Sequence, residues 1–589
     1  MTDLPDSDKA AKAWAELSAR AAKAAEMFWK NQASGDGFAV PDPGMVMRSF
    51  AEAASKLMAD PERLAAAQAR LWQDHARLWE ATSKRLKGEA AAPVAMPDPS
   101  DKRFADEAWS EQAVFDFVKQ SYLLTSRWMQ GTVQGIEGLD GRTARKVDFY
   151  TRQWLDALAP SNFIATNPKV LKATLESGGE NLLKGFRHLV EDMEKGQGRL
   201  QISMTDAKAF VLGENVAATP GKVVFQNDLM QLIQYAPSTP KARRRPLLIV
   251  PPWINKFYVL DLQPRNSFIK WAVDQGNTVF VVSWVNPDER LAHKTFDDYL
   301  LEGPVAALDE IRRMTGEAKA NLVGYCIGGT LTACTLAWLA ARKEDRVASA
   351  TFLTTMTDFR EAGELSVFID EEQIGLLERH MQKKGYLEGA HMATVFNLMR
   401  DNDLIWSFVV NNYLLGRDPL PFDLLYWNAD STRMPAMMHG FYLREMYLNN
   451  RLIEPGGIAL AGQAIDLRRI KVPVYLLSTR EDHIAPWKST YAATQIYKGP
   501  VKFVLAASGH IAGVVNPPAK GRYCYWTGDA LPADPQAWQA AAERHEGSWW
   551  PDWDAWLKKH AGRGQVAARD PGEGLEDAPG SYVKLRIVE

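Results

Sequence analysis

The chain has 589 residues, 46% hydrophobic and 24% charged, and 69 Lys+Arg against 72 Asp+Glu leave a formal charge of -3. That length exceeds one ordinary domain, the balance excludes a disordered or fibrous chain, and the near-neutral charge gives no field that would draw in nucleic acid. Cys326, Cys334 and Cys524 form neither a CxxC pair nor a disulfide framework. A polar, acidic start and the lack of any long apolar run predict a cytosolic protein with no signal sequence and no transmembrane segment.

Residues 8–87 predict amphipathic helices: Trp14, Leu17, Ala21, Ala24 and Phe28 keep a helical spacing, and Leu64, Leu71 and Leu78 recur at heptad distance. The Ala- and Pro-rich stretch 88–100 predicts a linker, so residues 1–100 are expected to form a variable helical arm. Residues 101–200 predict a helical N-terminal domain, after which KVVFQND and LMQLIQY change the class to strand. The basic run KARRR at 241–245 predicts a solvated turn between domains rather than a phosphate site.

From Pro246 onward, short apolar runs alternate with amphipathic helices: PLLIVPP, TVFVVSW, ANLVGYC, VASATFLTT, VPVYLLSTRED and VKFVLAASGH are the strands. That alternation predicts an α/β core around a parallel sheet covered on both faces. Its first part spans 201–357, and 471–589 holds the remainder with a C-terminal segment. Residues 358–470, dense in Met, Trp, Tyr and Phe, interrupt the pattern and predict a helical cap insertion.

Between a predicted strand and a predicted helix stands Gly324-Tyr325-Cys326-Ile327-Gly328-Gly329. GxCxG in that place is a nucleophile-elbow pattern with sulfur for oxygen, and it predicts an α/β-hydrolase fold. Cys326 is then exposed at a helix N-terminus that favours its thiolate, with the Ile327 amide aimed at a developing oxyanion. The elbow architecture places an acid and then a histidine at later strand ends, where Asp482 and His510 lie. His483 is the rival histidine, but neighbours on an extended strand end point to opposite sides. The second oxyanion donor is expected from PPWINKFY at 251–258, as a backbone amide near Ile254. No metal-ligand spacing occurs, so no metal is expected.

These blocks resemble the polyhydroxyalkanoate synthases, specifically the single-subunit class I type that makes poly(3-hydroxybutyrate). The likeness runs from Lys102 to the end through DKRFADEAW, DALAPSNFIATNPKVL, TPGKVVFQNDLMQLIQY, VPPWINKFYVLDL, GYCIGG, DLLYWNADSTRMP, STREDHIAPW, SGHIAGVVNPP and SYVKL. The resemblance implies an acyltransferase that polymerises (3R)-3-hydroxyacyl-CoA, mainly 3-hydroxybutyryl-CoA, and releases CoA, with no cofactor beyond that substrate. It implies Cys326 as the acylated nucleophile, His510 as its base, and Asp482 as the carboxylate that orients the histidine or assists hydroxyl activation. Asn255, Trp427 and His483 fall close to the pocket. Ile327 beside the nucleophile resembles the short-chain enzymes, which implies C3 to C5 monomers. The family also implies a homodimer, granule-coating protein partners, and a cytoplasmic location at the polymer granule surface. Other readings are a Cys-His-Asp thioesterase or hydrolase on the same fold, and a noncatalytic granule scaffold.

Overall fold

The computed structural model describes residues 7–34 and 41–586, and in it the chain divides into two compact units. One comprises residues up to 206 together with 394–420; the other comprises 207–393 and the chain from 421 onward.

The first unit is helical, with Ser7–Ser34, Pro43–Met58, Pro61–Leu86, Ala113–Gln134, Gly141–Ala157 and Glu180–Lys195 as its long elements. Asp42, Asp60 and Asp140 cap three of these helices, each accepting from an amide of the first turn. Leu17, Ala24 and Leu78 are buried, as the spacing predicts, whereas Phe28 is exposed; the side chain of Trp14 lies outside the described residues. The expected linker is tied down: the Val94 and Ala95 amides both donate to Gln120 Oε1, at 2.7 and 2.9 Å, and Ala95 is buried. The described residues on either side of this stretch therefore belong to one unit. The expected cap also divides, because 394–420 packs with the helical unit: Tyr413 donates to Asp192 Oδ2 at 2.6 Å and Asn181 donates to the Leu414 carbonyl at 2.7 Å.

The second unit is built on an eleven-stranded sheet. In chain order its strands are β1 (Gly221–Gln226), β2 (Met230–Tyr235), β3 (Leu247–Val250), β4 (Val279–Trp284), β5 (Ala320–Tyr325) and β6 (Val347–Leu353), followed by β7 (Val474–Thr479), β8 (Val501–Ala506), β9 (Cys524–Thr527), β10 (Glu543–Glu546) and β11 (Glu576–Asp577). Their order across the sheet is β10-β9-β8-β7-β6-β5-β3-β4-β2-β1-β11. Strands β3 to β8 are parallel to their neighbours among themselves, and β2 joins β4 antiparallel.

Strands β3, β4, β5 and β7 are buried at every position, as near-continuous Val/Ile/Leu runs require when helices cover both faces. Alternate residues supply two separate cores: Leu248, Val250, Phe280 and Val282 face one way, Leu247, Ile249, Val279 and Val281 the other. On the first face lies the helix Ile327–Ala341, apolar all round and buried from Ile327 to Leu339. On the second lies Trp550–Lys558, whose Trp550, Trp553 and Trp556 are buried beside Trp549. KARRR is not a solvated turn: Lys241–Arg243 pairs as a strand with Gln565–Ala567, and Arg243 is buried against Asp554 at 2.6 Å. The helical stretch across LLEGPVAALDEIRRM breaks at Gly303, where a Cβ would lie 2.5 Å from the Trp284 ring. No helix among the described residues is long and apolar enough to cross a membrane.

Candidate active site

Cys326 joins β5 to the helix Ile327–Ala341 at φ 53° and ψ -125°, a left-handed conformation that costs a non-glycine residue of order 1–3 kcal/mol. Its neighbours hold it there. A Cβ at Gly329 would fall 1.9 Å from Thr355 Oγ1, and one at Gly324 would fall 2.5 Å from the Gly329 Cα, so strand and helix meet only because both residues lack side chains. The Cys326 amide donates to the Leu353 carbonyl at 2.9 Å, and its own carbonyl accepts from Gly329 and Thr330. The side chain is thus lifted off the carboxyl edge of β5, partly accessible and not in a disulfide. Ile327 opens the helix and is buried; an amide in the first turn has no partner within its own helix.

Asp482 leaves the turn after β7, and His510 the turn after β8. His510 Nδ1 meets Asp482 Oδ2 at 2.7 Å, with the carboxylate side chain 0% exposed. Asp482 is oriented by the amides of Ile484 and Ala485, which donate to Oδ1 at 2.9 and 2.8 Å, and by Thr479, which donates to Oδ2 at 3.2 Å. Burial works against a charge on His510, but the Asp482 carboxylate, the charge of Cys326 and hydrogen bonds to both outweigh it, and the imidazole is pushed up to about 10. Tyr325 braces the histidine from below, its ring stacked 5.7 Å from the imidazole and its hydroxyl donating to the His510 carbonyl at 3.1 Å. The structure thus brings Cys326, His510 and Asp482 together. His483 stands beside Asp482, but the imidazole that Asp482 binds is that of His510.

The loop after β3 leaves its strand next to the elbow: Val250 pairs with Gly324, and a Cβ at Gly328 would strike the Val250 carbonyl at 2.3 Å. Four of its carbonyls are engaged. Pro251 accepts from Trp284 Nε1 at 2.9 Å, Trp253 and Ile254 share the one Thr432 hydroxyl proton at 2.5 and 2.6 Å, and Lys256 accepts from Trp427 Nε1 at 2.7 Å. Asn255 forms an antiparallel bridge with Ser431. Trp427, expected near the pocket, is therefore buried with its polar edge committed to this loop. Lys256 is also buried and meets Asp430 Oδ1 at 2.7 Å, which Tyr258 bonds through Oδ2, while the Val583 and Leu585 carbonyls take its remaining protons.

Sequence reasoning missed Thr432, Asp430 and two tyrosines. Tyr442 and Tyr447 have hydroxyls pushed up chiefly by burial, with the Cys326 charge contributing to each, and their rings pack 5.3 Å apart. Only the aromatic density of 358–470 signalled them. His380, Glu388 and His391 place ligand atoms within 4.8 Å of one another, among the described residues, but Lys384 already neutralises the same carboxylate. Cys334 is fully buried, its thiol pushed up by burial, and Cys524 is buried too.

A left-handed elbow cysteine with a histidine and an aspartate on successive strand ends defines a thiol-bearing protein of the α/β-hydrolase fold. Family models agree: residues 245–517 match the alpha/beta hydrolase fold, and 100–272 match the poly-beta-hydroxybutyrate polymerase N-terminus. The chain is 51% identical to a poly(3-hydroxyalkanoate) polymerase subunit of Rhizobium meliloti, over 94% of its own length and 90% of the relative's. It is 52% identical to a poly(3-hydroxyalkanoate) polymerase of Methylorubrum extorquens, over 92% and 90%. With the Cupriavidus necator polymerase subunit it shares 44%, over 89% of each chain. The chain belongs to the poly(3-hydroxyalkanoate) polymerase family.

Proposed function

We propose that this chain polymerises (3R)-3-hydroxyacyl-CoA, chiefly 3-hydroxybutyryl-CoA, into polyester by way of an acyl-Cys326 intermediate. The observation that carries the reading is the elbow cysteine joined to a buried His510–Asp482 pair in a chain of this family. Cys326 Sγ adds to the thioester carbonyl, the oxyanion collapses, and CoA leaves as a thiol with the proton that His510 held. His510 then takes the proton from the hydroxyl of a second unit as that oxygen adds to the acyl-Cys326 carbonyl. Sγ departs, the chain is longer by one ester, and the cysteine is free for the next load.

Sulfur suits this task because exchange between two thioesters is nearly isoenergetic, so the acyl group stays reactive toward an alcohol. Water is the competitor, and Tyr442, Tyr447 and Phe359 of the 421–470 and 358–393 segments form an aromatic cover suited to exclude it. Ile327, buried beside the nucleophile, fits a preference for C3 to C5 monomers. The chemistry requires no cofactor. A homodimer, granule-coating partners and a site of action at the polymer surface complete the reading; exposed Trp29, Trp72 and Trp79 on the helical unit offer apolar contacts for such roles.

The test is incubation of the purified protein with 3-hydroxybutyryl-CoA, following free thiol and turbidity together. Both rise for the wild type and neither for Cys326→Ala. Thiol without turbidity would identify a thioesterase, and thiol release by the alanine variant would remove the cysteine from its role.

A further inference from the structure

Thr432 lies far along the chain from the elbow, in the segment expected to be cap, yet it is buried with its hydroxyl against two consecutive carbonyls of the loop after β3. A peptide unit is planar and trans, so its N–H points opposite to its C=O. Holding the Trp253 carbonyl fixes the direction of the Ile254 amide, and holding the Ile254 carbonyl fixes that of Asn255. The two carbonyls share the single Thr432 hydroxyl proton, so both amides point away from Thr432 as adjacent donors, an arrangement able to bind an oxyanion.

We infer that Thr432 is a positioning residue for the oxyanion donors, acting through the Trp253 and Ile254 carbonyls. Its place is set from both sides. The Asn255–Ser431 bridge precedes it in register, and Asp430, two residues earlier, is locked to Lys256 and Tyr258 of the same loop. The segment 430–432 thus runs along 253–258 as a splint, and Trp427 holds the Lys256 carbonyl at its end. Without the hydroxyl, the 253–254 and 254–255 units lose the hydrogen bond that their carbonyls share.

The inference rests on the acyl-transfer reading above, and the experiment separates the two. Thr432→Val keeps the shape and removes the donor, and Thr432→Ser restores the hydroxyl. With 3-hydroxybutyryl-CoA, Thr432→Val is expected to lower kcat for CoA release by ~30-fold or more, approaching the ~100-fold loss of a direct oxyanion donor. KM and the rate at which iodoacetamide alkylates Cys326 should stay within about twofold of wild type, since the thiol–imidazole pair is untouched. Thr432→Ser should recover most of kcat. An unimpaired Thr432→Val, a Thr432→Ser as impaired as Thr432→Val, or a parallel loss of alkylation rate would each overturn the positioning role. A wild-type protein that releases no CoA would instead overturn the polymerase reading.

Discussion

His510 is buried between a carboxylate and a sulfur, and these neighbours decide its proton. Burial alone would leave the imidazole neutral, but Asp482 at 2.7 Å and the Cys326 charge push it up to about 10. The sign follows: the folded value exceeds the ordinary 6.5, so this contribution to stability is complete below pH ~6.5 and is lost as pH rises toward ~10. Asp482→Asn removes the larger of the two charges and leaves the burial. The His510 titration, read by NMR or by the pH profile of Cys326 alkylation, should then fall by ~2 pH units, and CoA release should drop by ~1000-fold or more. A titration unmoved in the variant would mean that Asp482 does not set the charge of the imidazole. All three residues were legible in the sequence because each follows a strand of recognisable pattern, and the fold fixes where strand ends go. Thr432 and Asp430 were not legible, since their work is done on a loop with which they share no local sequence signal.

Strands β3 to β8 were readable for the same reason that they are stable: their apolar runs are buried at most or all positions. The extension β9, β10 and β11 was not, because these strands are short and partly exposed, and β10 and β11 are mostly charged, so pairing rather than pattern makes them strands. The Trp-rich segment near Gly547, GSWWPDWDAW, has the composition for either a surface contact or packing on the core. The structure decides for packing: Trp549, Trp550 and Trp553 are buried, and Trp550 donates to the Val514 carbonyl at 2.9 Å while lying 5.1 Å from the Phe268 ring. Trp550→Ala should therefore cost about 3–5 kcal/mol in chemical denaturation, the loss expected of a large buried aromatic. A midpoint close to wild type would show that this face of the sheet can close without the indole.

At the scale of the molecule the sequence misplaces the boundaries because unit membership depends on distant partners. Residues 394–420 look like the rest of the aromatic insertion, yet a Cβ at Gly185 would lie 1.8 Å from the Tyr413 carbonyl, a fit that only the folded helical unit specifies. The same segment brings in a strained charge. Asp401 is buried, its Oδ2 has no hydrogen-bond partner, and its carboxyl is pushed up to about 7, first by burial and then by the charge of Asp156. Its folded value lies above the ordinary 3.8, so the native state holds a proton that the unfolded chain has released. The stabilisation this brings is present below pH ~4 and is lost as pH rises through ~7. Asparagine has the shape of the neutral acid and keeps it at every pH. Asp401→Asn should match wild type in thermal midpoint near pH 4.5 and exceed it by ~2 °C or more near pH 8.5, where wild type must ionise a buried group or hold an unfavourable proton. Equal midpoints at both pH values, or a variant less stable at the higher one, would show that Asp401 is ionised and paid for by partners such as Arg103, which already binds Asp101, Asp156 and Asn402.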